Sequence, residues 1–267
     1  MVSPAQKKQA VEHVIGQGLC SVRRACHYLG LHRSTYRYRP RQPLPQQIQL
    51  YQRIVALSWH YPRYGYRRIR ALLAQEGWLV SRKQVQRIRR KEGLKVRPKP
   101  QRLRRQGVST SLPTQATHRN HVWTWDFIFD RTDKGSTLKM LTMLDEYTRQ
   151  CLAIRVEHQI RSDQVLATLW QAMMQYGIPQ HIRSDNGTEF IAGNIQRWLR
   201  ENQIKTLYIE PGSPWQNGYI ESFHSRFRDE CLNREWLLNL REARVVIEDW
   251  RLHYNTERPN SRLGYLS

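Results

Sequence analysis

Three acids in this chain are set where a carboxylate needs a reason to be. Asp126 lies in the run VWTWDFIFD, among Trp and Phe; Asp185 closes HIRSD; Glu221 falls about one turn into the helix-like run after SPWQNG. A carboxylate placed among core-forming residues costs free energy unless its charge is balanced. Carboxylates that meet at one point can hold two divalent cations roughly 3.5–4 Å apart, one activating an attacking oxygen and one stabilising a leaving oxygen. Hard ions such as Mg²⁺ favour such oxygen donors. The intervals are 58 residues between the two aspartates and 35 between Asp185 and Glu221. Glu189, four residues after Asp185, reads as a cap or solvated acid rather than a spare ligand. Asp130, Asp133 and Asp145 fall at strand ends and turns, where Asp is common.

The elements that must position these acids follow from periodicity. VWTWDFIFD alternates as a strand, with Val122, Trp123, Trp125, Phe127 and Phe129 in the apolar set and Asp126 on the other parity. TLKMLTMLDEYT and QCLAIRVE are further strands, close enough in sequence to pair antiparallel. Ser162 is placed to cap a helix with Val165, Leu166, Leu169, Trp170 and Met173 on its apolar face. HIRS is a short strand, and Asn186-Gly187 suits the tight turn that aims Asp185. A helix through Ile191, Ile195, Trp198 and Leu199 leads to the strand IKTLYIE. A helix from about Asn217 to Cys231 and another over 240–254 complete a β-β-β-α-β-α-β-α-α order, an α/β arrangement. On the Glu221 helix, Ile220, Phe223 and Phe227 form the inward stripe. Glu221, His224, Ser225 and Arg228 form the neighbouring one, with Arg228 about 10.5 Å beyond Glu221 at 1.5 Å rise per residue. Arg228 suits a ligand phosphate or a salt bridge to a nearby acid. Asn217 is placed to cap this helix. Trp215 suits base stacking or packing on the sheet edge, and His224 suits DNA contact or a satisfied place on the helix face.

The charge is unevenly placed. The chain has 267 residues and a formal charge of +22, yet residues 1–120 carry 26 Lys+Arg against three acids, and residues 121–267 carry 18 against 19. A basic front half implies a polyanionic partner, with nucleic acid foremost. Residues 1–40 read as a helix-turn-helix, with Ser21 and Ser34 as caps and Gly30 at the turn. Residues 46–97 read as a second helical DNA-binding segment, in which Gly77 ends one helix and Ser81 caps the next. Arg67 and Arg68 lie on the first of these helices. Arg82, Lys83, Arg87 and Arg90 lie off the inward stripe of the second, free to meet phosphates. Residues 98–119 lack periodicity and read as a basic linker. The remaining span, 120–267, holds the α/β order and the three acids.

Several words of the sequence resemble one family: WTWDF, LDEYTR, SDNGTEF, PGSPWQNGYIESFHSRFRDECLN and WRLHYNTERPNSRLGY. Together with the 35-residue interval and the basic residue seven after Glu221, they are similar to the integrase-type DDE transposases of bacterial insertion sequences (insertion-sequence family three), relatives of retroviral integrases. The likeness is strong over about 120–267 and extends to RYGYRRIRALL in the front half. It implies a ribonuclease-H-like core, a five-stranded mixed sheet with helices on both faces. It implies Asp126, Asp185 and Glu221 as catalytic and metal-holding residues for two Mg²⁺ or Mn²⁺ ions. The implied reaction is cleavage at element ends and transfer of the freed 3′-OH into double-stranded target DNA, with no covalent protein–DNA intermediate. A second DNA surface is expected around Arg226, Arg228 and Lys205. The family also implies an upstream-frame partner or frameshift fusion, and a homo-oligomer assembled on DNA. The rival reading is a DNA-binding regulator or inactive remnant of such an element; a nuclease of RNA–DNA hybrids shares the fold.

Other classes fall away. No run approaches the ~18 apolar residues of a membrane helix, and the first residues lack the pattern of a secretory signal, so a bacterial cytoplasmic setting is expected. Cys20, Cys26, Cys151 and Cys231 are too sparse for a disulfide framework and read as reduced thiols. Cys26-His27 beside Cys20 is only a weak metal pattern. No sustained heptad marks a zipper.

Overall fold

A computed structural model describes residues 3–39, 42, 44–96, 114–185, 190, 193–209 and 217–265. Most of the expected linker, Asn186-Gly187, Glu189 and Trp215 lie outside those residues. The chain forms two compact units, 1–53 and 54–267.

In the first unit, α1 (Pro4–Gly16), α2 (Val22–Tyr28) and α3 (Arg33–Arg37) enclose a small core of Val11, Ala25, Cys26 and Leu31. Gly30 takes φ +57° in the turn between α2 and α3, a backbone state that favours glycine. The cap of α3 is His32, whose ring accepts from the Ser34 amide, rather than Ser34 itself. Helix α4 (Pro45–His60) contains the division between the units.

The second unit begins with the end of α4, then α5 (Tyr66–Gln75) and α6 (Arg82–Lys91). Ser81 caps α6 through the Gln84 amide, as its sequence implies. These basic helices belong to the same compact unit as the sheet. The sheet strands are β1 (Val122–Arg131), β2 (Thr137–Asp145), β3 (Cys151–Glu157), β4 (His181–Ser184) and β5 (Lys205–Tyr208), in spatial order β3-β2-β1-β4-β5. β1 pairs antiparallel with β2 and parallel with β4; β4 pairs parallel with β5. The meander and the two parallel additions make the five-stranded mixed sheet expected.

Helices cover both faces. One face packs Trp123, Trp125, Leu141 and Met143 against α7 (Ser162–Tyr176) and α8 (Gly193–Glu201). The other packs Ile128, Leu138, Met140 and Leu144 against α9 (Gly218–Phe227), a π-helical turn (Arg228–Leu232) and α10 (Leu240–Thr256). Alternation explains this: odd-numbered β1 residues enter one core and even-numbered ones face the other. Phe129 departs from the expected inward set and is exposed, because β1 runs past the helices that cover its start. Trp170 is also exposed and meets Trp198 edge-on. One residue beyond Leu169 it is rotated about 100° around the helix, away from the sheet. The cap of α7 is Arg161; Ser162 instead accepts from Asn194.

All four cysteines are free, with Cys26, Cys151 and Cys231 buried. Among the described residues no helix is long and apolar enough to cross a membrane.

Candidate active site

The sheet register sets the aspartates side by side. Thr124 on β1 faces Arg183 on β4 in a parallel pairing. Two residues further along each chain stand Asp126 and Asp185. Neighbouring strands lie about 4.8 Å apart, so the two carboxylates emerge together. Helix α9 brings Glu221 to the same place. Its Ile220, Phe223 and Phe227 are fully buried, which turns Glu221 to the exposed side of the helix. Its start is pinned to β1 by Thr124 Oγ1, which donates to Asn217 Oδ1 over 3.1 Å. Asn217 therefore holds the N-cap position but makes no cap bond, since its side chain ties the helix to the strand two residues before Asp126.

Asp126 feels the other two acids. The Asp126 carboxyl is pushed up to about 7, first by burial and further by the charges of Asp185 and Glu221, while a hydrogen bond from the Phe127 amide (2.7 Å) works the other way. Among the described residues no Lys or Arg forms an ion pair with Asp126. Nor do three or more His, Cys, Asp or Glu side chains among them make a ready-formed metal cage. The charges of Asp185 and Glu221 both act on Asp126, and all three side chains offer carboxylate oxygens.

His224 closes one side of Asp126. Its Nε2 lies 2.7 Å from Thr142 Oγ1, and that hydroxyl donates to the Asp126 carbonyl oxygen over 3.0 Å. The imidazole N–H therefore donates to Thr142, and Nδ1 faces Asp126 Oδ2 at 3.8 Å. Burial, with Arg228 adding to it, pushes the imidazole down to about 4, so it stays neutral near pH 7. On the other side, buried Arg183 donates to Glu146 Oε1 (2.7 Å) and to the Thr114 carbonyl (2.6 Å). This braces β4 just before Asp185. Asp145 is a turn residue, accepting from the amides of Tyr147, Thr148 and Asn120.

The residues read as DNA-facing divide in two. Arg67, Arg82, Lys83, Arg87 and Arg90 are exposed on α5 and α6, and Lys205 is exposed at the head of β5. Arg68, His224 and Asn217 instead serve the protein interior. Arg68 donates to Glu230 (2.8 Å), and the other two bond β-strand threonines as described. Arg228 donates to the Phe129 carbonyl (2.8 Å) and lies 3.7 Å from Asp130, with its side chain 44% exposed. That is the salt-bridge alternative, with one side still open. Arg226 is half-buried and forms no ion pair with a carboxylate among the described residues, although the charge of Glu230 acts on it.

Sequence reasoning missed a buried charge cluster. Glu230 accepts from Arg258 Nε (2.6 Å) and Nη2 (2.8 Å) as well as from Arg68. Arg258 lies under the Tyr254 ring and Arg68 under Tyr64. The available signal was Glu230 itself, an acid continuing the inward stripe of Phe223 and Phe227.

Comparison with known proteins agrees with this architecture. Two integrase core domain families match residues 116–214 and 202–267, and an HTH-like domain family matches 47–102. An uncharacterized 39.2 kDa protein of insertion element IS476 from Xanthomonas euvesicatoria is 39% identical over 98% of this chain and 75% of its own length. An uncharacterized 31.7 kDa protein of insertion element IS407 from Burkholderia multivorans is 39% identical over 92% of this chain and 88% of its own. The transposase for insertion sequence element IS904 from Lactococcus lactis is 28% identical, covering 85% and 96%. Among solved structures, the HTLV-2 integrase catalytic core domain in complex with magnesium aligns with TM-score 0.43 and 18% identity, over 57% of this chain and 96% of that one. With an integrase core behind an HTH-like segment, and with such relatives along nearly its whole length, the chain belongs to the integrase-core transposases of bacterial insertion elements.

Proposed function

We propose that Asp126, Asp185 and Glu221 are the catalytic carboxylates that cut DNA at the ends of an insertion element and join the freed 3′-OH to target DNA. The observation that carries this reading is the parallel register that sets Asp126 beside Asp185, with the charges of Asp185 and Glu221 both acting on Asp126. The donor set suits two Mg²⁺ or Mn²⁺ ions, since its donors are carboxylate oxygens and Asp126 has no cationic side chain beside it among the described residues. When bound, such ions activate the attacking oxygen and stabilise the leaving one. The protein's own part is positional. The strands fix Asp126 and Asp185, the buried stripe of α9 fixes Glu221, and neutral His224, through Thr142, holds the Asp126 backbone in place. The exposed row on α6 meets backbone phosphates, which gives grip without sequence reading. The family likeness supports an oligomer on DNA that includes the upstream-frame product.

The test is a strand-transfer assay with cognate element ends, Mg²⁺ or Mn²⁺, and the upstream product supplied. Asp126→Asn is expected to lose activity by at least about 100-fold, the scale of removing one preorganised electrostatic group, while still binding duplex DNA. Transfer retained by this variant would overturn the assignment. Duplex binding by the wild type with no cleavage under any of these conditions would favour the regulator reading.

A further inference from the structure

Three of the sequence words quoted above are only partly accounted for by the carboxylates: LDEYTR, the NGYIESF helix and RPNSRLGY. Arg149 of the first and Arg262 of the last converge with Arg226 of α9. Arg149 from the turn between β2 and β3, Arg226 from α9 and Arg262 from the 3-10 turn Ser261–Leu263 line one small pocket of about 30 Å³, together with Tyr219, Ser222 and Asn260. Arg149 is held with φ +65°, a left-handed state uncommon for a residue with a Cβ. Strain of this kind persists where the surroundings hold the residue, and it gathers at functional sites. The surroundings here are the Tyr219 ring, whose centroid lies 3.8 Å from the Arg149 guanidinium carbon.

The pocket's charge is unbalanced. Among the described residues no carboxylate forms an ion pair with Arg149, Arg226 or Arg262. Glu146, whose charge acts with Arg149, is buried and bonded to Arg183. Glu230, whose charge acts on Arg226, already accepts from both Arg68 and Arg258. Arg226 is also partly withdrawn from water, so its charge is less screened than that of a surface arginine. A half-buried guanidinium beside two more calls for an anion, and guanidinium groups bind phosphate oxygens in paired hydrogen bonds.

We propose that this pocket takes one backbone phosphate of a DNA strand. Its volume is about that of a single water. It admits the non-bridging oxygens of a phosphodiester presented from outside and is too small for a whole nucleotide. Ser222 and Arg226 follow Glu221 by one and five residues, which places the pocket about 100–140° around α9 from the acid. A strand crossing the carboxylates would be held at a second point on the same helix. The proposal rests on DNA being the substrate of the core.

The experiment is equilibrium binding of a fluorescently labelled duplex to the full chain, without divalent ions, across a range of salt concentrations. The variants are Arg262→Gln and the double variant Arg149→Asn with Arg262→Gln; Asn tolerates the left-handed backbone. The double variant is expected to bind about tenfold more weakly at moderate salt, equally for any duplex sequence. Its log–log salt slope should be shallower by about 0.9 for the one phosphate lost, with Arg262→Gln intermediate and the melting temperature unchanged. Unchanged affinity and slope in both variants would overturn the proposal. So would inorganic phosphate raising the melting temperature of the wild type but not of the double variant while both bind duplex equally, since the pocket would then serve free phosphate. The carboxylate assignment is read separately, in the strand-transfer assay with divalent ions, so its failure and failure of the pocket leave different signatures.

Discussion

Asp126 and Glu230 are both largely buried acids on the α9 side of the sheet, and the protein treats them in opposite ways. Glu230 is given two guanidinium groups, and although burial works against its charge, Arg258 and Arg68 together hold its carboxyl below the usual range. Asp126 is given a backbone amide, a neutral imidazole and two further acids, and its carboxyl rises to about 7. One acid is satisfied from within the chain and the other is left wanting a cation. The difference separates a charge paired within the chain from one with no Lys or Arg partner among the described residues, a distinction that burial alone would not make.

The contrast can be broken most forcefully at Glu230. Glu230→Ala leaves buried Arg258 and part-buried Arg68 without their acid and is expected to cost about 3–5 kcal/mol, the scale for removing one partner of a buried ion pair. The check is the denaturant midpoint of the full chain. Because the Glu230 carboxyl is depressed, its contribution is present at neutral pH and is lost as pH falls through its folded value, so the difference between variant and wild type should narrow in acid.

Asp126→Asn should do the reverse. The raised carboxyl favours the folded state only while protonated, so its penalty is absent below about pH 4 and complete above about 7. Without divalent ions, the variant should be more stable than the wild type by about 2–4 kcal/mol at pH 8, with the gain vanishing as pH is lowered from 7 towards 4. Added Mg²⁺ should raise the melting temperature of the wild type far more than that of the variant, because a ligand stabilises only the form that binds it. A variant no more stable at pH 8 would erase the contrast with Glu230. The smallest effect is expected at Arg228→Gln. Its pair with Asp130 is long and half-exposed, so stability should change by under about 1 kcal/mol, measured in the same denaturant series.

Much of the catalytic part was legible in the sequence because it rests on local patterns. The meander, the β4 and β5 runs and the inward stripe of α9 all come from alternation or 3,4 spacing, and each is present where periodicity implies it. Arg68 shows what local reading cannot supply. Among so many basic neighbours it looks like one more phosphate contact, yet its partner Glu230 stands 162 residues away. The same holds for Asn217, which by position is a cap and by long-range contact is a tie to Thr124. Phe129 and Trp170 fit an apolar pattern, but where a strand outruns its helices or a helix turns its flank outward, the pattern continues without a core behind it.

The order of the strands has a kinetic consequence. β1, β2 and β3 can zip together as successive hairpins while the chain is still being made, since each pairing closes a short loop. β4 must pass α7 and cross back before it lies parallel to β1. Such long-range parallel pairing is slow because loop-closure entropy comes before the contacts that offset it. Asp126 thus reaches its final strand well before Asp185 is beside it, and Glu221 joins only when α9 docks on the far face. A nascent or half-folded chain carries the three acids apart, and their meeting is the last arrangement this fold acquires.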